Sequence, residues 1–221
     1  MEGLSQSILL RGRSLSRLPD TFYYWKVLWR VAHRRPCKRV PVFCGRVFQG
    51  QATADFADRT AAIAREVLRQ DPVSAVSCAG VGSGSRRWSE EELQRLELGV
   101  VGAFARGCHN AGIAQFCLLS AAGSAARSRF RYARIMGMKE DTVRKIGFTR
   151  LAIFRPGIIV GNAHTPAWVG WLGRLVPGPF GNIDQRILGR SIAAEIALHG
   201  SEFGEVTLNN SAMRKLAAEF E

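Results

Sequence analysis

Phe116-Cys117-Leu118-Leu119-Ser120-Ala121-Ala122-Gly123-Ser124, then a basic stretch from Phe130 to Ile146, then Leu151-Ala152-Ile153-Phe154-Arg155-Pro156-Gly157, is the passage that decides the fold. The first apolar run is too short for a helix and closes in small residues, the pattern of a buried strand that opens into a loop. The basic stretch has helical length. The last run is again short and apolar and stops at a Pro-Gly turn, so the passage predicts a βαβ unit. In open α/β sheets ligands lie beyond the carboxyl ends of the strands, which places 120–128 and 156–162 around one crevice.

Working outward, Val73 to Cys78 reads as a further buried strand, followed by the glycine-rich loop Ala79-Gly80-Val81-Gly82-Ser83-Gly84-Ser85. Those glycines alternate and miss the third position of G-x-G-x-x-G by one, so a flexible loop is favoured over a pyrophosphate clamp. Ser89-x-x-Glu92 is a capping box, and Leu93, Leu96, Val100 and Phe104 recur at helical spacing, a helix for packing. Thr53 to Gln70 shows the same period and stops at Asp71-Pro72. Val40 to Phe48 holds a short strand broken by Pro41 and Gly45. Downstream, Gly161 to Gly181 reads as loop, a hydrophobic cover or a substrate lid, and Arg186 to His199 as a helix. Val206 to Leu208 reads as a last strand, and a helix starts at Ser211. The alternation predicts a three-layer α/β domain with a mostly parallel sheet, in which 73–78, 116–119 and 149–153 are neighbours.

The formal charge is +13, and counting Lys and Arg against Asp and Glu gives +8 for residues 1–50, −2 for 51–100, +7 for 101–150 and zero beyond. One basic patch is thus N-terminal, and the other comprises Arg127, Arg129, Arg131, Arg134, Lys139, Arg144, Lys145 and Arg150. Such patches suit phosphates on a dinucleotide, a nucleic acid or an anionic lipid surface, or a plain solvated face. No apolar run approaches the ~18 residues that span a bilayer, so no transmembrane helix is expected. Five cysteines without C-x-x-C spacing read as reduced thiols, with Cys78 and Cys117 in the core. Cys108-His109 is adjacency rather than ligand spacing, and no metal is expected.

Residues 1–20 are rich in Ser, Leu and Arg, which suits a mitochondrial targeting segment; the competing reading is a degenerate first strand, Ser7-Ile8-Leu9-Leu10, with only Gly12 to form a turn. The aromatic and basic stretch 22–35 fits a strand in its second half, or an interfacial helix. Mitochondrial association follows from both segments, with a cytoplasmic location as the alternative.

Leu118-Leu119-Ser120, Tyr132 on the next helix, and Phe154-Arg155-Pro156-Gly157-Ile158-Ile159 together resemble the active-site half of atypical short-chain dehydrogenase/reductases, most closely the Tat-interacting-protein oxidoreductase type. The order and spacing hold from about Lys26 to the C-terminus. The resemblance implies one Rossmann-like NAD(P)-binding-type domain over 21–221, with its N-terminal βα unit degenerate or missing. It also implies Ser120 and Tyr132 as the catalytic pair, with Ser124 or Ser128 as alternative hydroxyls, and Pro156, Gly157 and Ile158 against the nicotinamide. Arg34 and Arg35 would meet the 2′-phosphate of NADP(H), and the loop at Gly80 and Val81 would pass the adenine. Where the family carries the activating Lys, this chain has Met136. A thioether cannot lower a phenol pKa, and Lys139, seven residues past Tyr132, lies too far along the helix to substitute directly. With the glycine turn also missing, weak or absent NADP(H) binding and impaired carbonyl reduction are expected.

Three classes of function remain open on the sequence. One is an atypical short-chain reductase. Another is a non-catalytic scaffold with protein partners in a mitochondrial assembly. The third is a binder of nucleic acid or anionic lipid, which a steep salt dependence would single out.

Overall fold

The structure is a computed structural model that describes residues 7–10, 42–43, 74–78, 88–161, 176 and 178–220. Its centre is a sheet of β1 (Ser7–Leu10), β2 (Val42–Phe43), β3 (Ser74–Ser77), β4 (Gln115–Leu119), β5 (Arg150–Phe154) and β8 (Gly204–Leu208), in the order β2-β1-β3-β4-β5-β8. The last four strands of that order run parallel, with Val76 opposite Cys117, Cys117 opposite Ala152, and Ala152 opposite Val206. The three strands expected as parallel neighbours are so arranged. Their apolar runs are continuous because both faces are covered.

Alternation along each strand divides the core in two. Phe116, Leu118, Leu151 and Ile153 turn to one side and pack with Val101, Phe104, Cys108 and Val143. Those partners belong to α2 (Val101–Asn110) and α3 (Arg131–Arg144). Cys117, Ala152 and Phe154 turn to the other side, against Leu188 and Ile192 of α4 (Gln185–His199) and Met213 and Leu216 of α5 (Asn210–Glu219). Phe116 stacks on Phe148 at 4.7 Å and meets Phe104 at 5.8 Å, filling the first layer. The layers are those expected of an α/β Rossmann-like fold.

Ser89 starts α1 (Glu90–Gln94) through the expected capping box: its hydroxyl accepts from the Glu92 amide at 3.1 Å and its own amide donates to the Glu92 carboxylate at 2.9 Å. A π turn over Arg95–Val100 then joins α1 to α2. Such turns rotate the following residues relative to a plain helix.

Two expectations are corrected. Ser7–Leu10 is a strand beside β3, but it runs antiparallel, with Ser7 opposite Ser77 and Leu9 opposite Ala75. Leu10 therefore ends at the amino edge of the parallel strands, whereas a phosphate turn must leave the first strand at the carboxyl edge. An antiparallel neighbour needs no crossover helix, which is what permits this orientation. Secondly, the segment after Gly157, read as loop, forms β6 (Ile158–Val160), paired in parallel with β7 (Asn182–Asp184). Three apolar residues gave no period to read, and their partner lies beyond a long connection.

The expected helix at 53–70, the segment 22–35 and the glycine loop 79–85 lie outside the described residues, as does 162–175. No helix among the described residues is long and apolar enough to cross a membrane.

Candidate active site

β4 delivers Ser120 to the carboxyl edge, where its amide donates to the Phe154 carbonyl at 2.8 Å. Its hydroxyl donates to Glu140 Oε1 at 2.6 Å and lies 3.0 Å from the Ser124 hydroxyl, which itself donates to the Ala121 carbonyl. Glu140, on α3, is wholly buried and gathers cations: Arg155 Nε reaches Oε1 at 2.8 Å, Arg155 Nη2 reaches Oε2, and Arg144 Nη2 reaches Oε2 at 3.3 Å. The Glu140 carboxylate and its hydrogen bonds raise the Arg155 pKa. Ser120, expected at the crevice, and Arg155, directly before its second segment, are thus joined through one carboxylate.

Tyr132 lies in the first turn of α3, half-buried. It packs with Trp88 and Ala121 against the buried cluster of Leu93, Ile135 and Met136. The position that the resemblance assigns to an ammonium is therefore occupied by a thioether inside an apolar wall. Burial first, and the nearby Glu97 carboxylate second, push the Tyr132 phenol above its ordinary pKa. That is the reverse of what proton donation to a carbonyl at neutral pH requires.

Lys139, expected on the same face, is paired with a carboxylate. Its Nζ is 2.9 Å from Glu97 Oε2, with side-chain exposures of 2% and 0%. Arg131 donates to the Trp88 carbonyl, and Arg134 pairs with Glu90 at 2.9 Å. Arg144 pairs with Glu205 and Asp141, and Arg150 with Glu195 at 2.7 Å. Among the eight cations of the second basic patch, three besides Lys139 are thus drawn into carboxylate pairs, while Arg127, Arg129 and Lys145 are exposed.

Pro156, Gly157 and Ile158 form a backbone junction. Ala122 N donates to the Pro156 carbonyl at 2.8 Å and Ile158 N to the Gly181 carbonyl at 3.1 Å. Gly157 N donates to Asn210 Oδ1 at 3.1 Å, and the same buried asparagine donates to the Gly181 carbonyl at 2.8 Å. A side chain at 157 would stand 2.3 Å from the Gly181 oxygen, so glycine is demanded by the approach of another backbone. Gly137 serves likewise on α3, where a Cβ would lie 2.2 Å from the Ala126 nitrogen. The crevice loop is therefore laid directly on the helix.

Arg34, Arg35, Gly80 and Val81 lie outside the described residues. Ser120, Tyr132, Met136 and the 156–158 turn are brought to one edge of the sheet. Sequence reasoning missed Glu97 and Glu140. A signal for Glu97 existed: it is an acid four residues past Leu93 on an otherwise apolar stripe, and Lys139 lies midway between Ile135 and Val143 on another.

No family model matches the sequence. The chain is 30% identical over 126 residues to Protein FMP52-2, mitochondrial, of Scheffersomyces stipitis, a match that covers 55% of this chain and 51% of that protein. It is 25% identical over 147 residues to Protein fmp52, mitochondrial, of Emericella nidulans, covering 66% of this chain and 63% of the relative. The chain thus spans about half the length of the first of these relatives. Among solved structures, a dTDP-4-dehydrorhamnose reductase of Clostridium acetobutylicum superposes with TM-score 0.55 at 12% identity, over 82% of this chain and 70% of that one. The Bordetella bronchiseptica enzyme WbmH, solved with NAD+, gives 0.52 at 14% identity, over 79% and 67%.

The fold is thus shared with a dTDP-4-dehydrorhamnose reductase and with an enzyme solved with NAD+. The curated relatives carry the FMP52 name rather than that of the Tat-interacting-protein type, and their mitochondrial names bear out the mitochondrial assignment.

The described residues do not fit a dinucleotide held in the manner the resemblance implies. Leu10 ends at the wrong edge for a phosphate turn, and Met136 stands where an ammonium is needed.

Proposed function

We propose that the chain is a mitochondrial protein of the NAD(P)-binding, short-chain dehydrogenase/reductase kind, of the Tat-interacting-protein oxidoreductase type in its motifs, with impaired catalysis and a scaffold used for binding partners in an assembly. On this reading residues 21–221 form one domain, and NADP(H) binds weakly or not at all. The observation that carries the proposal is the burial of Met136 beside Tyr132, in an apolar wall where burial first, and the Glu97 carboxylate second, raise the phenol pKa. An ordinary phenol near 10 is already a poor acid at neutral pH without a cation, and this one is poorer.

The test is NADPH titration by fluorescence followed by carbonyl reduction assays on the unmodified chain, Met136→Lys and Tyr132→Phe. The expected result is no saturation at micromolar NADPH and no reduction that depends on Tyr132. Micromolar binding would overturn the cofactor reading, and robust reduction lost in Tyr132→Phe would overturn the catalytic one.

A second reading concerns an anionic surface. Phe130 is 80% exposed at the N-cap of α3, directly after exposed Arg127 and Arg129. Vesicles with and without anionic lipid, and single-stranded RNA, assayed across a salt series, test it; salt-independent or absent binding by Arg127→Gln/Arg129→Gln and the unmodified chain alike would remove it.

A further inference from the structure

β8 is the last strand in the sheet order, and among the described residues no strand pairs with its outer side. Two hydrogen bonds fix which way its backbone groups face. Gly204 N donates to the Thr149 carbonyl at 2.9 Å, and Arg155 N donates to the Leu208 carbonyl at 2.8 Å. Successive residues of a strand turn their N–H and C=O to alternate sides, so Gly204, Val206 and Leu208 face β5 while Glu205 and Thr207 aim theirs outward. The surroundings are open: 201–205, 207 and 209 are exposed, Phe203 at 82%, and Leu198 near the end of α4 is exposed as well. Lysine or proline guards most edges of this kind. β8 has neither, and its one charge, Glu205, is taken up by Arg144, with Nε 3.0 Å from both carboxylate oxygens and Nη2 2.9 Å from one.

We infer that β8 is a dimerisation edge, on which a second copy of this chain pairs antiparallel about a two-fold axis at Val206. Such pairing brings the same surface of both copies together, as a two-fold contact requires. The register follows from the outward groups. Centred on Val206, Glu205 lies opposite Thr207 of the partner subunit, and the reverse pair repeats it. Each pair exchanges both of its backbone hydrogen bonds, so no outward amide or carbonyl of these residues is left without a partner. Centred on Glu205, two carboxylates would stand opposite each other, which disfavours pairing. A slip by one residue would turn the outward groups away from their counterparts. In the register at Val206 the opposing side chains also match, because a threonine hydroxyl donates and a carboxylate only accepts. The short ladder is small beside the roughly 1,200 Å² that a stable interface buries. Phe203 and Leu198, on the segment that leads into β8, supply the apolar surface to extend it.

This association needs neither Tyr132 nor NADP(H), so its failure and that of the cofactor reading are distinguishable. The test is sedimentation equilibrium of the full chain over a dilution series, with substitutions at the exposed Thr207. The unmodified chain is expected to be a dimer that dissociates on dilution. Thr207→Asp sets a second carboxylate opposite Glu205 at both pairs and is expected to weaken the dimer about tenfold. Thr207→Lys sets an ammonium there and is expected to tighten it, and high salt should shrink both effects. A chain that stays monomeric at every concentration reached overturns the inference. So does a dimer whose dissociation is the same in all three chains, or shifts in the same sense for both substitutions.

Discussion

Gly157→Ala separates a structural role for the Pro-Gly turn from a cofactor-facing one. The new Cβ would stand 2.3 Å from the Gly181 oxygen and 2.7 Å from the Phe180 carbonyl carbon, both backbone atoms that no rotamer change can move. Relief requires the 178–181 segment to retreat by about 1 Å from ordinary van der Waals contact. That retreat strains Ile158 N to Gly181 O at 3.1 Å, Gly157 N to Asn210 Oδ1 at 3.1 Å, and Asn210 Nδ2 to Gly181 O at 2.8 Å. At about 1 kcal/mol for each of the three bonds, with about 1–3 kcal/mol for overpacking, a loss of about 4–6 kcal/mol is expected. A domain of this kind holds roughly 5–15 kcal/mol in all. Equilibrium urea unfolding measures it, with a lowered midpoint and an unchanged slope. Gly147→Ala is the control, because Gly147 has φ +82° with no atom within 4 Å of its added Cβ. It should lose only the left-handed backbone penalty of about 1–2 kcal/mol. A Gly157→Ala chain no less stable than the control would refute the reasoning.

Replacing Glu97 by Gln alone should cost about 3–5 kcal/mol by leaving Lys139 buried without its carboxylate, while Glu97→Leu with Lys139→Met should be near neutral or stabilising; urea midpoints of the two variants check both. Met136→Leu should cost less than about 1.5 kcal/mol as a volume-conserving change, and Met136→Ala about 2–5 kcal/mol through the cavity it opens, read from the same unfolding curves. Alkaline stability should fall as well. Burial pushes the Cys78 thiol from 9.0 up to about 12 and raises the Tyr132 phenol, so the unfolded chain releases these protons first. Their contribution is complete below pH 9 and is lost progressively as pH rises towards 12. Cys78→Ser with Tyr132→Phe should flatten that slope in midpoint-against-pH curves, and a slope unchanged by both substitutions would contradict it.

The sequence by itself determined the βαβ passage at 116–157, because short runs apolar on both faces, small-residue exits and a Pro-Gly stop are local signals. It determined the Ser89–Glu92 capping box, where both reciprocal hydrogen bonds close within four residues. The absence of lysine at position 136 was likewise plain from spacing, though the apolar wall of Trp88 and Leu93 around that position was not. Tertiary structure alone decided the direction of β1, since a four-residue run has the same period whichever way it pairs. It decided that Ser120 hydrogen-bonds Glu140, twenty positions on, and that Glu97 holds Lys139 across 42. The physical reason is one of range. Periodicity and capping act over a turn or a strand, whereas the partner of a buried charge is set by packing between elements far apart in the chain, so Glu97 and Glu140 carried no adjacent mark of their partners.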